Sequence, residues 1–577
     1  LEKVLELIKK NQLDNAKNEC SILISKNSKD PEILNLYAII CFQLEEYDEA
    51  IDNWKKSVKT NPKYFFGYNN IGKAFLSLKK FNVALENFNK SIEIKPDFFE
   101  AYNNKGNTLI RLGKFEDAIK NYDKAIEINP NNLFGYIFKG HALTEIGSLE
   151  KALLSYNNAH NINPSHPLLL GYILNIKSRI CDWKNFDESL KNLKFNLENK
   201  KKVTFPFTTL TLLDDPALQK QSSEIWVNDY QISSDRKNKF NIKKNNSKIR
   251  LGYFTADFRN HATSHLTAEM FENHNKKKFE TIGFYLGRTI QQKDKWHDRL
   301  KKSFDKFFYV NEMNDQEISK LAIDLNIDIA IDLMAHCNNG MENRFGIFVR
   351  GCAPIQINFL GYPGTSGSNS IDYIIADKTT IPSKNQKYFT EKIIYLPDTY
   401  QPNTKNVTKT NKHFSKSDFG LPEDKFIFCC FNQHQKISPK MFNIWMNILK
   451  KNKNSFLWLL EDNVFSKKNL ILETEKRNVD KNRIIFSDRI NLEDHLERIK
   501  LADLFLDTYP YSAHTTCSDA LRSGLPVLTL KGETFASRVA SSLLKTLDLD
   551  EMITTSIEEY ETFANEYCIN FKKLQKV

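Results

Sequence analysis

A short polar turn near the C-terminal end of the chain has the residue types of an anion-binding site. The segment Leu501 to Leu530, "LADLFLDTYPYSAHTTCSDALRSGLPVLTL", starts with an apolar run, passes through His514, Thr515 and Thr516, and continues as a helix-like run. A strand-to-helix junction leaves backbone N–H groups pointing outward, and small hydroxyl residues add donors. The same residues are also typical of a plain helix N-cap, which is the commoner arrangement. Both interpretations stay open until the rest of the chain is considered.

Composition excludes several classes of protein. The 577 residues suffice for roughly three or four domains, and a hydrophobic fraction of 41% supports buried cores. No apolar run reaches the roughly 18 residues that a membrane helix needs, and "LEKVLELIKKNQLDNAKNEC" is not a signal peptide. Nine cysteines without a C-x-x-C pair indicate a reducing compartment. We therefore expect a cytoplasmic protein without a membrane partner.

The charge and metal-ligand patterns exclude further functions. Lysine and arginine exceed aspartate and glutamate by 82 − 71 = +11, spread over many loops. No nucleic-acid-binding motif accompanies this excess, so no nucleic-acid partner is expected. Histidines and cysteines do not occur at zinc spacing. The one D-x-D, Asp548 to Asp550, is interpreted as carboxylates at a helix start, and no metal site is predicted.

The first part of the chain carries a 34-residue repeat. A period of 34 with small, aromatic and proline residues at fixed offsets is the tetratricopeptide pattern. Each unit is a helix pair that buries its apolar face only against neighbouring units. About five units are predicted, forming an α-solenoid over residues 1–163. The in-phase alanines are Ala16, Ala50, Ala84, Ala118 and Ala152.

Asparagines in the repeats are candidate acceptor-binding residues. The segments "YNNIGK" and "YNNKGN" supply Asn69, Asn70, Asn103 and Asn104. On a concave solenoid face, such side chains would bind the backbone of an extended peptide with little sequence preference. Plain solvent exposure is the alternative interpretation.

The second part of the chain has the pattern of two α/β lobes. From residue 248, short β-rich apolar runs alternate with amphipathic helical stretches, which is typical of parallel sheets covered on both faces. A polar, turn-rich stretch separates two such series. The predicted divisions after the repeats are a helical cap and linker (164–246), an N-terminal lobe (247–400), a linker (401–420) and a C-terminal lobe (421–577).

Polar clusters follow five of the predicted strands. Open α/β sheets bind ligands at the carboxyl ends of their strands, and two facing lobes would form one cleft. Neither a G-x-G-x-x-G nor a Walker motif occurs. The arrangement predicts a nucleotide-sugar glycosyltransferase of GT-B architecture, with two Rossmann-like lobes. The clusters are Asp257 to His265, "MAHCNNG", "GYPGTSG", "NQHQK" and "YPYSAHTT".

The motifs also resemble a known family. "LGYFTADFRNHATSHL", "APIQINFLGYPGTSGSNSIDYIIAD", "FNQHQKISPKMFNIWMNILK" and "LADLFLDTYPYSAHTTCSDALRSGLPVLTLKGETFASRVASSLL" are similar, in this order, to the protein O-linked N-acetylglucosamine (O-GlcNAc) transferase family. This is glycosyltransferase family 41, here of bacterial type. The resemblance implies an inverting, metal-independent transfer of N-acetylglucosamine from UDP-N-acetylglucosamine to Ser or Thr hydroxyls. It also implies that the repeats recruit the protein acceptors.

The resemblance assigns roles to individual residues. Lys436 matches the lysine that neutralises the diphosphate, and His261 matches a histidine at the sugar and acceptor end that is a candidate base. Both are predicted to be catalytic. The predicted nucleotide-sugar-binding residues are Gln433, His495, Arg498, His514, Thr515, Thr516, Asp519, Gly361, Pro363, Gly364 and Thr365.

Alternatives remain within the same architecture. Tyr511 stands where the animal enzymes have a smaller residue beside the sugar pocket, so UDP-glucose and GDP-fucose remain alternative donors. A catalytically weak repeat scaffold is the rival from another class, and a homo-oligomer is compatible with the sequence. The family usually continues beyond the point that matches "FKKLQKV", so a truncated or degenerate C-terminal end is expected.

Overall fold

The computed structural model describes residues 2–26, 30–230, 240, 247–288, 293–337, 344–407 and 409–577. The chain forms two compact units, Leu1–His166 and Pro167–Val577. Most of the predicted linker after residue 230, and Asn338 to Gly340 of "MAHCNNG", lie outside the described residues. No helix in these ranges is both long enough and apolar enough to cross a bilayer.

The first unit consists of paired helices, which confirms the repeat prediction. The 34-residue period exists because small residues recur where helices pack most closely. A Cβ added to Gly72 or Gly106 would lie 2.6 or 2.5 Å from the ring of Phe88 or Tyr122 in the next helix. The helices are α1 (Glu2–Lys9), α2 (Leu13–Lys26), α3 (Pro31–Gln43), α4 (Tyr47–Thr60), α5 (Phe65–Ser77), α6 (Phe81–Ile94), α7 (Phe99–Arg111), α8 (Phe115–Ile128), α9 (Leu133–Glu145) and α10 (Leu149–Ile162).

The second unit begins with four helices: α11 (Leu169–Arg179), α12 (Phe186–Glu198), α13 (Pro206–Leu212) and α14 (Pro216–Val227). They pack against both lobes of this unit. The Trp183 ring lies 5.3 Å from Phe442 of the C-terminal lobe, and the Ser223 hydroxyl lies 3.3 Å from the Tyr362 hydroxyl of the N-terminal lobe. The helical segment is therefore an integral part of the second unit.

The N-terminal lobe is a parallel sheet with the order β3-β2-β1-β4-β5-β6-β7. The edge strand β3 was not foreseen from the sequence, because its four residues are only half-buried or exposed. The elements are β1 (Ile249–Thr255), α15 (Ala262–Glu272), β2 (Phe279–Tyr285), α16 (Lys295–Ser303), β3 (Lys306–Tyr309), α17 (Asp315–Asp324), β4 (Ile329–Asp332), α18 (Gly346–Arg350), β5 (Ile355–Asn358), β6 (Tyr373–Ala376) and β7 (Lys392–Tyr395).

The C-terminal lobe is a second parallel sheet with the order β10-β9-β8-β11-β12-β13. The two sheets confirm the predicted pair of Rossmann-like lobes. The elements are β8 (Phe426–Cys430), α19 (Pro439–Lys451), β9 (Ser455–Leu460), α20 (Val464–Lys476), β10 (Ile484–Ser487), α21 (Leu492–Arg498), β11 (Leu504–Leu506), α22 (Thr515–Arg522), β12 (Val527–Leu530), α23 (Val539–Thr546), β13 (Ile553–Thr554), α24 (Ile557–Ile569) and α25 (Phe571–Leu574).

Candidate functional site

Four of the five polar clusters follow the strands between which the strand order of each sheet reverses, and "GYPGTSG" follows the neighbouring strand β5. In the C-terminal lobe the order reverses between β8 and β11, and in the N-terminal lobe it reverses between β1 and β4. Ligands of doubly wound sheets bind at these switch points, beyond the carboxyl ends of the strands. Lys436 follows β8, and His514 follows β11. The fold therefore brings together two segments that lie about 80 residues apart in the chain.

Lys436, Tyr511 and His514 form one stack at the C-terminal switch point. The Lys436 ammonium lies 4.2 Å from the centre of the Tyr511 ring and donates to the Ser512 carbonyl at 3.1 Å. The Tyr511 and His514 rings are stacked with their centres 4.6 Å apart. His514 Nε2 donates to the Ala536 carbonyl at 3.0 Å. The charge of Lys436 is thus held beside the turn that starts α22.

Among the described residues, no side chain caps the start of α22. His514 precedes the first helical residue, and its side chain makes no capping hydrogen bond. The Thr516 hydroxyl, which could have bonded to a backbone group at the start of the helix, donates instead to Asn432 Oδ1. The first N–H groups of a helix have no partner within it and carry the positive end of its dipole. These N–H groups are available to an anion, and the anion-binding interpretation of "SAHTT" stays a prediction.

Asp507 organises this turn, and the sequence interpretation missed it. Its Oδ1 accepts hydrogen bonds from the backbone N–H groups of Thr508 at 2.7 Å and Ala513 at 2.6 Å. Its Oδ2 accepts from the Thr529 hydroxyl at 2.6 Å. A carboxylate directly after the apolar strand β11, in "LFLD", was the signal that could have found it. Asp507 closes the loop that carries Tyr511 and His514.

Burial shifts the pKa values of the ionisable groups in the site. Burial lowers the pKa of Lys436 to about 8, and the field of Asp507 opposes this shift. Burial raises the pKa of Asp507 to about 6. Burial and the Lys436 charge hold the pKa of His514 well below its usual range, so the ring is neutral. The site therefore presents one cation and a helix N-terminus, which together suit a ligand with more than one negative charge.

The predicted nucleoside-binding residues lie around the same strand ends. His495 Nδ1 accepts from Arg498 Nε at 3.1 Å, while burial and Arg498 lower the pKa of His495 to about 3. Its Nε2 therefore carries the proton and can donate. Asp519 is buried on α22, which raises its pKa to about 7, whereas Gln433 is exposed and accepts from Gln435 at 3.0 Å.

Comparison with protein families decides the classification. The model of "Glycosyl transferase family 41" matches residues 180–406 and 401–577, which is more than half of the chain. This chain belongs to glycosyl transferase family 41. Tetratricopeptide models match residues 39–79, 72–113 and 99–132 of the first unit.

Similar proteins agree with this membership of family 41. A probable UDP-N-acetylglucosamine–peptide N-acetylglucosaminyltransferase of Arabidopsis thaliana is 36% identical over 334 residues, covering 57% of this chain and 34% of its own length. The UDP-N-acetylglucosamine–peptide N-acetylglucosaminyltransferase of Caenorhabditis elegans is 25% identical over 516 residues, with 67% and 44% coverage. This chain thus spans less than half the length of either relative.

A solved structure supports the family 41 fold. A mutant O-GlcNAc transferase of Thermobaculum terrenum superposes with a TM-score of 0.62 at 21% identity, covering 89% of this chain and 91% of that one. Identity at this level is evidence for the fold alone.

The glycine-rich loop of the N-terminal lobe is packed more tightly than the sequence suggested. Pro363, Gly364 and Thr365 are buried, and the Thr365 hydroxyl donates to Glu391 at 2.6 Å. A Cβ at Gly361 would lie 1.9 Å from the Leu333 carbonyl, so only glycine fits there. These contacts hold the loop within the N-terminal lobe, and nucleotide-sugar contacts of these four residues stay a prediction.

Two of the histidines of the N-terminal lobe, His261 and His336, occupy different environments. His261 precedes α15 and caps it, because its Nδ1 accepts the Thr263 N–H at 3.3 Å. Burial lowers the pKa of His261, and the nearby Asp257 opposes this shift. His336 is buried, and its Nε2 donates to the Ser366 carbonyl at 2.8 Å. The neutral His261 ring therefore carries its proton on Nε2, and its catalytic role stays a prediction.

The asparagines of the first unit bond to one another. Asn69 and Asn103 are buried, Asn104 donates to Asn69 at 2.9 Å, and Asn70 donates to an asparagine of the preceding repeat at 3.1 Å. Asn103 exchanges two hydrogen bonds with Asn132. The amides form a ladder that joins successive repeats, while acceptor binding by these residues stays a prediction.

The pKa values of the free protein predict a narrow pH optimum for this family 41 site. Above a pH of about 8 Lys436 loses its charge, and below about 7 Asp519 gains a proton. In their predicted roles, Lys436 would then no longer neutralise a diphosphate and Asp519 would accept less well from a ribose hydroxyl. We expect a bell-shaped dependence of kcat/KM for the donor, because this quantity reports on the free enzyme. Asp519→Asn should move the acid limb to lower pH, towards the pKa of about 6 of Asp507, and leave the alkaline limb in place. A profile that stays flat through both pKa values would contradict these assignments.

Proposed function

We propose that this chain transfers N-acetylglucosamine from UDP-N-acetylglucosamine to Ser or Thr hydroxyls of proteins, with inversion at the anomeric carbon. The observation that carries the proposal is the uncapped start of α22 beside the Lys436 ammonium, at the switch point of the C-terminal sheet. This arrangement suits a diphosphate. The family relatives named as UDP-N-acetylglucosamine–peptide N-acetylglucosaminyltransferases support the choice of sugar and acceptor.

The proposed reaction is a single displacement. The acceptor oxygen forms a bond to the anomeric carbon as the bond from that carbon to the β-phosphate oxygen breaks. UDP leaves with the bonding electrons, and Lys436 and the N–H groups of Thr515 and Thr516 stabilise the developing charge. The acceptor proton passes to a base. To take it through Nδ1, His261 must release the Thr263 N–H that it now accepts.

The proposed transfer needs no metal ion, because a lysine and a helix N-terminus supply positive charge at the diphosphate. Asp548 lies beyond the C-terminal end of α23, and Asp550 begins a short 3-10 helix (Asp550–Met552), so neither lies at the carboxyl end of a strand. Among the described residues, the metal-type group is Cys41, Glu46 and Glu49 in the first unit. We expect activity to persist in the presence of a chelator.

The repeats are proposed to hold the protein acceptor. The first unit is a tetratricopeptide solenoid, and such stacks present extended surfaces to partners. The partly exposed amides of Asn70 and Asn104 are the candidates for contacting a peptide backbone. Deleting residues 1–163 should therefore impair glycosylation of proteins more than hydrolysis of the donor.

A panel of donors tests the proposed sugar. With one acceptor protein, UDP-N-acetylglucosamine, UDP-glucose and GDP-fucose are compared by the mass added to the acceptor. We expect UDP-N-acetylglucosamine to exceed UDP-glucose in kcat/KM by roughly tenfold or more, because a polar pocket rejects a donor that leaves its groups unpaired. Tyr511 is the residue to vary next, since it packs against Tyr362 and Lys436 beside the proposed diphosphate.

The same panel separates the alternatives. A preference for UDP-glucose or GDP-fucose would replace the proposed donor within the same architecture. Absence of both transfer and donor hydrolysis with all three sugars would instead favour a repeat scaffold without catalysis.

A further inference from the structure

A single carboxylate of the helical segment is bound into the C-terminal lobe. Asp214 lies between α13 and α14 and accepts hydrogen bonds from the backbone N–H groups of Glu533 at 2.9 Å and Thr534 at 2.9 Å. It also accepts from the Ser537 hydroxyl at 2.8 Å and the Tyr509 hydroxyl at 3.0 Å. Successive N–H groups aimed at one anion form a nest, and here an internal carboxylate occupies it.

The partners of Asp214 also hold the anion-binding turn. The turn 533–537 contains Ala536, whose carbonyl accepts from His514 Nε2 at 3.0 Å, from the Ser512 N–H at 3.1 Å and from the Ser512 hydroxyl at 2.8 Å. Tyr509 belongs to the loop between β11 and α22, and its carbonyl accepts from Ser438, two residues after Lys436, at 2.9 Å. Asp214 is therefore connected to the anion-binding turn by two paths of hydrogen bonds, one through the turn 533–537 and one through Tyr509.

The Asp214 side chain packs closely against the glycine that precedes the turn 533–537. A Cβ at Gly532 would lie 2.4 Å from Asp214 Oδ2 and 2.4 Å from the Ser537 hydroxyl. The same helical segment is anchored on the N-terminal lobe, because Lys220 donates to the Lys387 carbonyl at 3.1 Å and Gly367 packs against the backbone of α14. The segment thus connects the N-terminal lobe to the turn 533–537.

We propose that Asp214 is a positioning residue for the diphosphate-binding turn. Its carboxylate orders the turn 533–537 and the Tyr509 ring, and through the Ala536 carbonyl it sets the place of His514 and the start of α22. This inference rests on the proposed function, because the ligand concerned is the diphosphate of the donor. The helical segment would therefore contribute to donor binding without contacting the donor itself.

The neighbouring aspartate is a matched control. Asp215 caps α14 by accepting from the N–H groups of Ala217 at 3.0 Å and Leu218 at 3.1 Å. The two carboxylates are adjacent in the chain, yet only Asp214 contacts the turn of the C-terminal lobe. Asp215→Ala should therefore lower the melting temperature without changing the affinity for UDP.

The test compares Asp214→Asn with Asp215→Ala in the full chain. Asparagine has the shape of aspartate, but its amide NH₂ would face N–H donors and only one oxygen would remain as an acceptor. We expect Asp214→Asn to raise the Kd of UDP and the KM of the donor by about tenfold, since a misplacement of about 1 Å in a positioned group can cost 10²-fold. The Kd of UMP, which lacks the β-phosphate, should rise less. Tyr509→Phe, which removes one hydrogen bond and keeps the ring, should show a smaller change in the same direction.

The outcomes separate this inference from the proposed function. Wild-type affinity for UDP in Asp214→Asn, or equal losses for UDP and UMP alongside a lower melting temperature, would overturn the positioning role alone. A wild-type chain that binds no UDP would overturn the proposed function together with the inference. If Asp214→Asn does not fold, Tyr509→Phe and Ser537→Ala still test the positioning role of Asp214. An unchanged preference for UDP over UMP in both variants would overturn that role.

Discussion

Replacing Lys436 with alanine is expected to lower kcat/KM for the donor by about 10²–10³-fold. Lys436 supplies the full positive charge of the site, and its ammonium lies beside Tyr511 and the Ser512 carbonyl. Alanine would remove this preorganised donor and leave only the dipole of α22 to stabilise the departing diphosphate. Steady-state transfer to an acceptor protein, together with the Kd of UDP, measures the effect.

The matched control for this change is Lys440→Ala. Lys440 is exposed in the first turn of α19, four residues from Lys436. We expect its removal to leave kcat/KM within about twofold, because long-range effects of exposed charges are screened by salt. Turnover of Lys436→Ala at the wild-type rate would refute the assignment of this lysine to the diphosphate.

Replacing Asp507 with asparagine is expected to cost both activity and stability. The carboxylate accepts the N–H groups of Thr508 and Ala513, and its field acts on Lys436. Leaving a buried donor without its acceptor typically costs about 1–3 kcal/mol, and displacement of the loop should lower kcat/KM by about 10²-fold. Thermal unfolding and donor kinetics measure the two effects.

Asp503→Asn is a control that separates the effect of Asp507→Asn on stability from its effect on activity. Asp503 precedes β11 at its amino end, where it accepts the Ile427 N–H at 2.7 Å, whereas Asp507 lies at the carboxyl end of the same strand. Loss of that hydrogen bond should destabilise the lobe by about 1–3 kcal/mol and leave kcat/KM unchanged. If both variants lost activity in proportion to stability, Asp507 would have no organising role in the turn.

The repeats and the lobes could be predicted because their signals are local or periodic. The in-phase Gly72 and Gly106 mark the closest helix contacts, and apolar runs such as "FIFCC" mark strands buried on both faces. These constraints act between neighbouring positions or at a constant spacing. The edge strand β3 was not predicted because its residues are only half-buried or exposed, so its sequence shows little apolar pattern.

The candidate site could be predicted only in part. Lys436 and the His514 turn lie at strand ends, where polar residues stand out from apolar runs, and the fold brings them together. The contact of Thr365 with the nucleotide sugar stays a prediction, and the structure adds that its hydroxyl donates to Glu391. A hydroxyl in a glycine-rich loop has the same sequence signature whether it faces a ligand or a neighbouring carboxylate.

The sequence by itself determined the repeat period, the two parallel sheets and the strand ends at which polar residues gather, because each depends on residue types at short or regular spacing. Only the tertiary structure showed that the Thr516 hydroxyl donates to Asn432 at another strand end and that no side chain in the described part of the chain caps α22. It also revealed Asp214, whose partners lie about 300 residues away. Such long-range hydrogen bonds leave no local pattern, because either partner alone has the composition of an ordinary loop.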